Sequence, residues 1–449
     1  MEHNLTTGNV FRTIVVFALP YLLSYFLQTL YGMADLFIIG QFASVDGITA
    51  VANGGQVMYM LTVIIVGLAM GATVTVAHAV GANKLDRAAT IIGNTITLFM
   101  GVAVALTVVL LLLNRTIVEI IGTPPSAVDG TITYLSVCVA GIPFITGYNL
   151  TSAIFRGLGD SKSPMYFIGI ACVANIALDY LFIGVLELGP MGAALGTSTS
   201  QALSLACALI SIRGRKTGIR ITRKDFKPQA DVLKSVLTVG LPVAVQDGCI
   251  QVAFIFITVI ANGRGVVDAA AVGVVEKVIS AMFIVPSSML ATVSALVAQN
   301  AGAGKPERAR QTLRYAIGIT TCYGLVVALA MQVLAPHILA LFTSDVQAIA
   351  AGTGYLKSYI FDAVFAGMHF CFSGFFAAYG RSYIGFIHNI IAISLVRIPG
   401  SWLLSNAYPS SLYPMGFASV AGSILSVAIC LGAYTWLKRR GSFEQLKTV

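Results

Sequence analysis

The sequence predicts an all-α integral membrane fold: twelve transmembrane helices in two six-helix bundles related by a pseudo-two-fold axis along the membrane normal. Three observations predict it: an apolar composition, a run of long apolar segments, and an internal repeat covering most of each half. Hydrophobic residues fill 57% of the 449 positions and charged residues only 10%, with a mean hydropathy of +0.87. A soluble domain carries about 25% charge and keeps a largely polar surface. Lipid must therefore be the solvent for most of this chain.

Crossing the hydrocarbon takes about 20 apolar residues in a helix. Qualifying runs lie at 11–41, 49–80, 88–114, 126–155, 163–186 and 191–212, then at 232–262, 269–300, 311–343, 349–379, 383–406 and 413–437. Glycine and proline interrupt several of them and soften their edges. The first run is too long for the core of a signal peptide and is expected to stay as a span.

Basic residues set the orientation. Lys84 and Arg87 follow the second run, Arg156 and Lys162 the fourth, and Arg213, Arg215, Lys216, Arg220, Arg223, Lys224 and Lys227 the sixth. Lys305, Arg308 and Arg310 follow the eighth, Arg381 the tenth, and Lys438, Arg439 and Arg440 the last, while the alternate loops offer only Arg115 and Arg264. An inner-membrane protein with both termini cytoplasmic is expected. The net charge of +9 is accounted for by this asymmetry and by anionic lipid, with no nucleic-acid partner. The seven cysteines lie inside apolar runs without short pairings and read as small buried side chains.

The repeat is specific. Gly81-Ala-Asn-Lys-Leu-Asp-Arg-Ala88 returns as Gly302-Ala-Gly-Lys-Pro-Glu-Arg-Ala309, Leu19-Pro20 as Leu241-Pro242, and Pro190-Met191-Gly192 as Pro414-Met415-Gly416. Phe155–Ser161 has a weaker echo in Phe376–Ser382. The expected organisation is an N-terminal bundle over 1–212, a basic cytoplasmic linker over 213–231 and a C-terminal bundle over 232–449. Six spans per half give both halves one orientation, and such bundles bind their substrate at the repeat interface.

Ionisable groups inside spans are costly and mark function by default. Five carboxylates qualify, Asp35, Asp179, Asp247, Glu276 and Asp362, accompanied by Lys277 and Arg397. Gln28, Tyr31 and Asp35 stand at i, i+3 and i+7, and Asn175 and Asp179 at i and i+4, so each set shares a helix face. A carboxylate kept from water can hold a proton near neutral pH. Two carboxylates with an amide carbonyl and a hydroxyl can instead ligate a hard cation; a hydrogen-bonded helix clasp is the plainer alternative. Asp247 and Gln251 share a face, and Lys277 is a candidate neutraliser of Asp247, Glu276 or Asp362. Tyr31, Tyr59, Tyr148, Met58, Met60, Asn149 and Gln28 are candidates for a cavity lining. Pro20 removes a backbone hydrogen bond and is a hinge candidate, fixed or moving.

With these residues in place, the chain resembles the multidrug and toxic compound extrusion (MATE) family almost end to end, most of all its DinF-like or MepA-like prokaryotic branch. The resemblance rests on Leu19-Pro20 followed by Gln28, Tyr31 and Asp35, on the paired loops quoted above, and on Arg156-Gly-Leu-Gly-Asp160 through Pro164, Asn175, Asp179 and Pro190-Met-Gly192. It implies export of organic cations or amphiphilic drugs by alternating access, driven by H⁺ or Na⁺, by a single chain without a cofactor. It also adds Thr197, whose hydroxyl joins Asp35, Asn175 and Asp179 in related proteins, as the set that would hold the coupling proton or a Na⁺ ion. Ile250 stands where NorM-like relatives carry a glutamate, which leaves Asp247 and Asp362 as secondary candidates. A lipid-linked oligosaccharide flippase of the same superfamily is the alternative, although it would need more basic residues in its cavity. No His-Glu-x-x-His, Gly-x-Ser-x-Gly or phosphate loop supports an enzyme.

Overall fold

A computed structural model describes residues 5–214 and 219–444; Arg215 and Lys216, with the side chain of Arg213, fall outside them. Helices fill the described residues, and no strand interrupts them. They are α1 (Val10–Phe42), α2 (Val45–Gly81), α3 (Leu85–Ile120), α4 (Val128–Ala140), α5 (Ile142–Gly157), α6 (Lys162–Asp179), α7 (Gly189–Gly214), α8 (Ala230–Asn262), α9 (Val266–Met282), α10 (Ile284–Gly302), α11 (Pro306–Leu339), α12 (Val346–Tyr359), α13 (Asp362–Ala378), α14 (Ser382–Ala392), α15 (Ile398–Ala407) and α16 (Tyr413–Arg439).

Ten spans are long and apolar enough to cross a bilayer, and two bent helix pairs bring the number to twelve. Both bent pairs are the fourth span of their half: Pro125–Gly157 turns by 48° and Val346–Ala378 by 44°. Both fifth spans contain a π-helical turn, Tyr180–Val185 after α6 and Ile393–Arg397 after α14. The second of these precedes Pro399, whose ring and missing N–H prevent an ordinary turn there.

Packing divides the chain into two units, one of Val16–Gly240 and one of Thr6–Val15 with Leu241–Val449. These units differ at both first helices from the halves expected at 1–212 and 232–449. The start of α8 belongs to the first unit because it meets α2 backbone to backbone. A Cβ on Gly71 would lie 2.1 Å from the Val236 carbonyl oxygen, and one on Gly240 would lie 2.3 Å from that of Leu68. Arg87 of α3 also holds the start of α8, pairing with Asp231 at 2.5 Å. In the second unit the repeated loop holds the segment before α1, with Lys305 Nζ donating to the Thr6 carbonyl at 2.8 Å and Arg308 to those of Thr7 and Gly8, both at 2.6 Å.

Part of the expected linker is folded. A short 3₁₀ turn, Arg223–Phe226, is capped by Thr222 and docks on α3. Thr90 Oγ1 donates to Asp225 at 2.9 Å, Asn94 Nδ2 to the Asp225 carbonyl at 2.8 Å, and Thr97 Oγ1 to the Phe226 carbonyl at 2.9 Å. The two basic residues of the alternate loops are both neutralised, Arg115 by Glu119 and Arg264 by Asp268. That deepens the charge asymmetry between the two ends of the spans.

Candidate functional site

The first unit gathers Asp35, Asn175, Asp179 and Thr197 from three helices, and all four are buried. Asp35 lies in the C-terminal third of α1, where apolar neighbours such as Ile38 and Ile39 seat the helix in the core. Asn175 and Asp179 occupy the last turns of α6, and Asp179 is the residue at which the α-helix passes into the π turn. Such turns recur at functional sites because the extra residue re-aims a side chain without ending the helix. Thr197 stands two turns into α7.

Thr197 Oγ1 donates to Asp35 Oδ2 at 3.0 Å. Asp179 and Asn175 are immediate neighbours of Asp35, but they make no hydrogen bond to it with regular geometry. Asp35 Oδ1, both oxygens of Asp179 and both polar atoms of the Asn175 amide lack hydrogen-bond partners among the described residues. Among the described residues no lysine or arginine neighbours either carboxylate. Buried oxygens without donors or a cation are expensive, and a proton or a hard cation held among them would lower that cost.

One residue beyond the sequence expectations completes the cluster. A Cβ on Gly196 would lie 2.1 Å from Asp179 Oδ1, so any larger residue here would force the buried carboxylate to shift. Its neighbour Thr197 carried a signal; Gly196, one of 44 glycines, carried none.

Tyr31 sits with the acidic cluster, and its hydroxyl accepts from Gln201 Nε2 at 3.4 Å. Gln28 and Asn149 lie instead along a cavity of about 20 Å³ between α1 and α5, together with Tyr21, Ser24, Tyr25, Tyr148, Ser152 and Arg156. Among the other expected lining residues, Met58 is part of the apolar core, while Tyr59 and Met60 are exposed. α1 runs through Pro20 as one helix, and Ser24 Oγ donates to the Pro20 carbonyl at 2.9 Å.

The second unit differs. Asp362 opens α13 at the bend of the fourth span and lies 3.6 Å from Arg397. Arg397 also donates to the Tyr359 hydroxyl and, at 3.1 Å, to Ser419 Oγ, with Glu276 nearby. The expected neutraliser, Lys277, is corrected: it is exposed and makes no ion pair among the described residues. α9 turns adjacent residues to different sides, so Glu276 faces Arg397 while Lys277 faces outward. Asp247 is half-buried in α8 and has no charged neighbour among the described residues.

With the geometry in view, known proteins match the whole chain. A family profile described as MatE matches residues 20–181 and 242–403, two stretches in the frame already set by Leu19-Pro20 and Leu241-Pro242. The probable multidrug resistance protein YoeA of Bacillus subtilis (strain 168) is 25% identical over 445 residues, covering 98% of this chain and 96% of the relative. The probable multidrug resistance protein YpnP of the same organism is 28% identical over 404 residues, covering 90% of each. A crystal structure of MATE in complex with MaL6 shares the fold with a TM-score of 0.89, at 24% identity and 99% coverage of both chains. A twelve-span chain whose family profile matches once in each half has one assignment: it belongs to the MATE family and is a multi-pass membrane transporter, not an enzyme.

Proposed function

We propose that the protein is a multidrug exporter working by cation antiport, in which H⁺ or Na⁺ occupies the Asp35, Asn175, Asp179 and Thr197 cluster. One observation carries this reading: two buried carboxylates from separate helices share a site without any cationic side chain among the described residues. Such a site gains from every proton or hard cation that enters it, and its occupancy can bias which side the cavity opens to. The names of the Bacillus relatives support drugs as the cargo. Organic cations or amphiphiles are the substrate class, no cofactor takes part, and a single chain in the inner membrane with cytoplasmic termini suffices. Pro20 and the adjoining turn of α1 are the proposed hinge. A flippase for lipid-linked sugars would require a strongly basic cavity, and the cavity described here contains one base.

The test uses the whole protein in sealed vesicles, with pH and Na⁺ gradients imposed separately while uptake of a cationic dye is followed. Transport driven by one gradient and abolished in both Asp35→Asn and Asp179→Asn is the expected result. Unchanged gradient-driven uptake in the two variants would overturn the proposal.

A further inference from the structure

The first unit holds a buried base that has no acid. Arg156 closes α5 and is 8% exposed. Among the described residues its guanidinium donates no hydrogen bond and meets no carboxylate; its charge-related contacts are to tyrosines, the face of Tyr21 at 4.9 Å from the ring centre and Tyr148 close by. The obvious partner in sequence, Asp160, is engaged elsewhere. Its Oδ1 accepts from the backbone N–H groups of Lys162 and Ser163, and its Oδ2 from the Ser163 hydroxyl. Arg156 opens instead onto the cavity lined by Tyr21, Ser24, Tyr25 and Gln28, where no Asp or Glu occurs.

A guanidinium offers five N–H donors in a planar fork suited to carboxylate and phosphate oxygens. Leaving it buried and unpaired is unfavourable, and a ring face satisfies none of those donors. Tyr21, Gln28 and Asp35 are spaced seven residues apart, so one face of α1 runs from the basic cavity to the acidic cluster, roughly 20 Å along the helix axis.

We propose that Arg156, with Gln28 lining the same cavity, forms an anion subsite that takes a carboxylate or phosphate oxygen of an amphiphilic substrate. This rests on the exporter reading and narrows it: the preferred cargo carries an anionic group as well as its cationic one, a zwitterion rather than a simple organic cation.

The experiment measures binding of two rhodamines to the full-length protein in detergent, one with a free carboxylate and one its ethyl ester. The wild type should bind the acid about tenfold more tightly, as expected for a charge-assisted hydrogen bond. Arg156→Gln should bring the two dyes to about equal affinity through loss of the acid alone, and Arg156→Lys should keep part of the preference. No acid preference in the wild type, a reading that needs no variant to fold, overturns the proposal. So does a preference that survives Arg156→Gln. Adding an anionic phospholipid separates the two sources: selective displacement of the acid dye assigns lipid phosphate to the same subsite, and no displacement assigns it to free substrates. Gradient-driven export of the ester tests the exporter reading independently, since its failure leaves the acid preference untouched.

Discussion

In the N-terminal unit, Asp35 and Asp179 are buried together with no lysine or arginine beside them among the described residues. In the C-terminal unit the buried Asp362 lies against Arg397, which also holds Tyr359 and Ser419. The frame that places Pro20 on Pro242 places Asp35 on Ile257, a fully buried apolar residue. The fifth span, which carries Asn175 and Asp179 in one unit, carries Arg397 in the other. Duplicated helices thus hold opposite solutions to one electrostatic problem. An acid left unpaired can exchange its counter-ion with solvent, whereas an acid paired internally is a fixed strut.

The comparison breaks first at the acids. Asp35→Asn or Asp179→Asn should reduce ion-driven uptake to background, while the double change Asp362→Ala with Arg397→Met leaves most of it. Loss of transport in that double variant, with the protein still folded, would make the second unit a coupling site too. Stability should show the reverse pattern. Asp362→Ala alone leaves Arg397 with only Glu276 as an acidic neighbour and should cost about 3 kcal/mol, only part of it recovered when Arg397→Met is added, because Glu276 then loses its cation; unfolding in detergent, read as a double-mutant cycle, checks this.

Gly196→Ala pushes a methyl group into Asp179. It should cost about 1–3 kcal/mol by overpacking and abolish coupling, whereas alanine at the exposed Gly101, which has open space around it, should do neither. Thr197→Val removes the donor to Asp35 and should weaken ion dependence by about tenfold, measured as the ion concentration at half-maximal uptake. The smallest effect lies outside the membrane. Hydrogen bonds from the Thr222 backbone and the Thr222 and Thr90 hydroxyls hold the Asp225 carboxyl below the usual carboxylate range. A depressed folded value gives a contribution that is full above the unfolded value, about pH 4, and lost as pH falls through the lower folded one. Limited proteolysis of the 219–229 segment should therefore accelerate only in that acidic window.

Much of this was legible in the chain. Apolar runs announce spans because lipid leaves a helix few alternatives; Asp35, Asn175 and Asp179 were readable as charged or polar exceptions within those runs, whereas Thr197 entered only through the family resemblance. The partner of Asp362 was not. Arg397 lies one span further along, and helical spacing pairs residues only within a helix, so Lys277 was the candidate neutraliser and Arg397 had no assigned partner. Tyr31 and Gln28, three residues apart, were grouped together, yet one sits with the acids and the other along the basic cavity. Gly196 was invisible because its role is an absence of atoms, which only the approach of α7 to Asp179 reveals.

The opening turns of α8 pack against α2 at Gly71 and Gly240, and residues 6–15 are held by the loop around Arg308. A cut in the connector would therefore yield two polypeptides, neither of which is a self-sufficient folding body. Each would expose the groove meant for the other's leading segment. Such fragments should regain activity only when expressed together, and synthesis must reach well past residue 230 before the first unit can close.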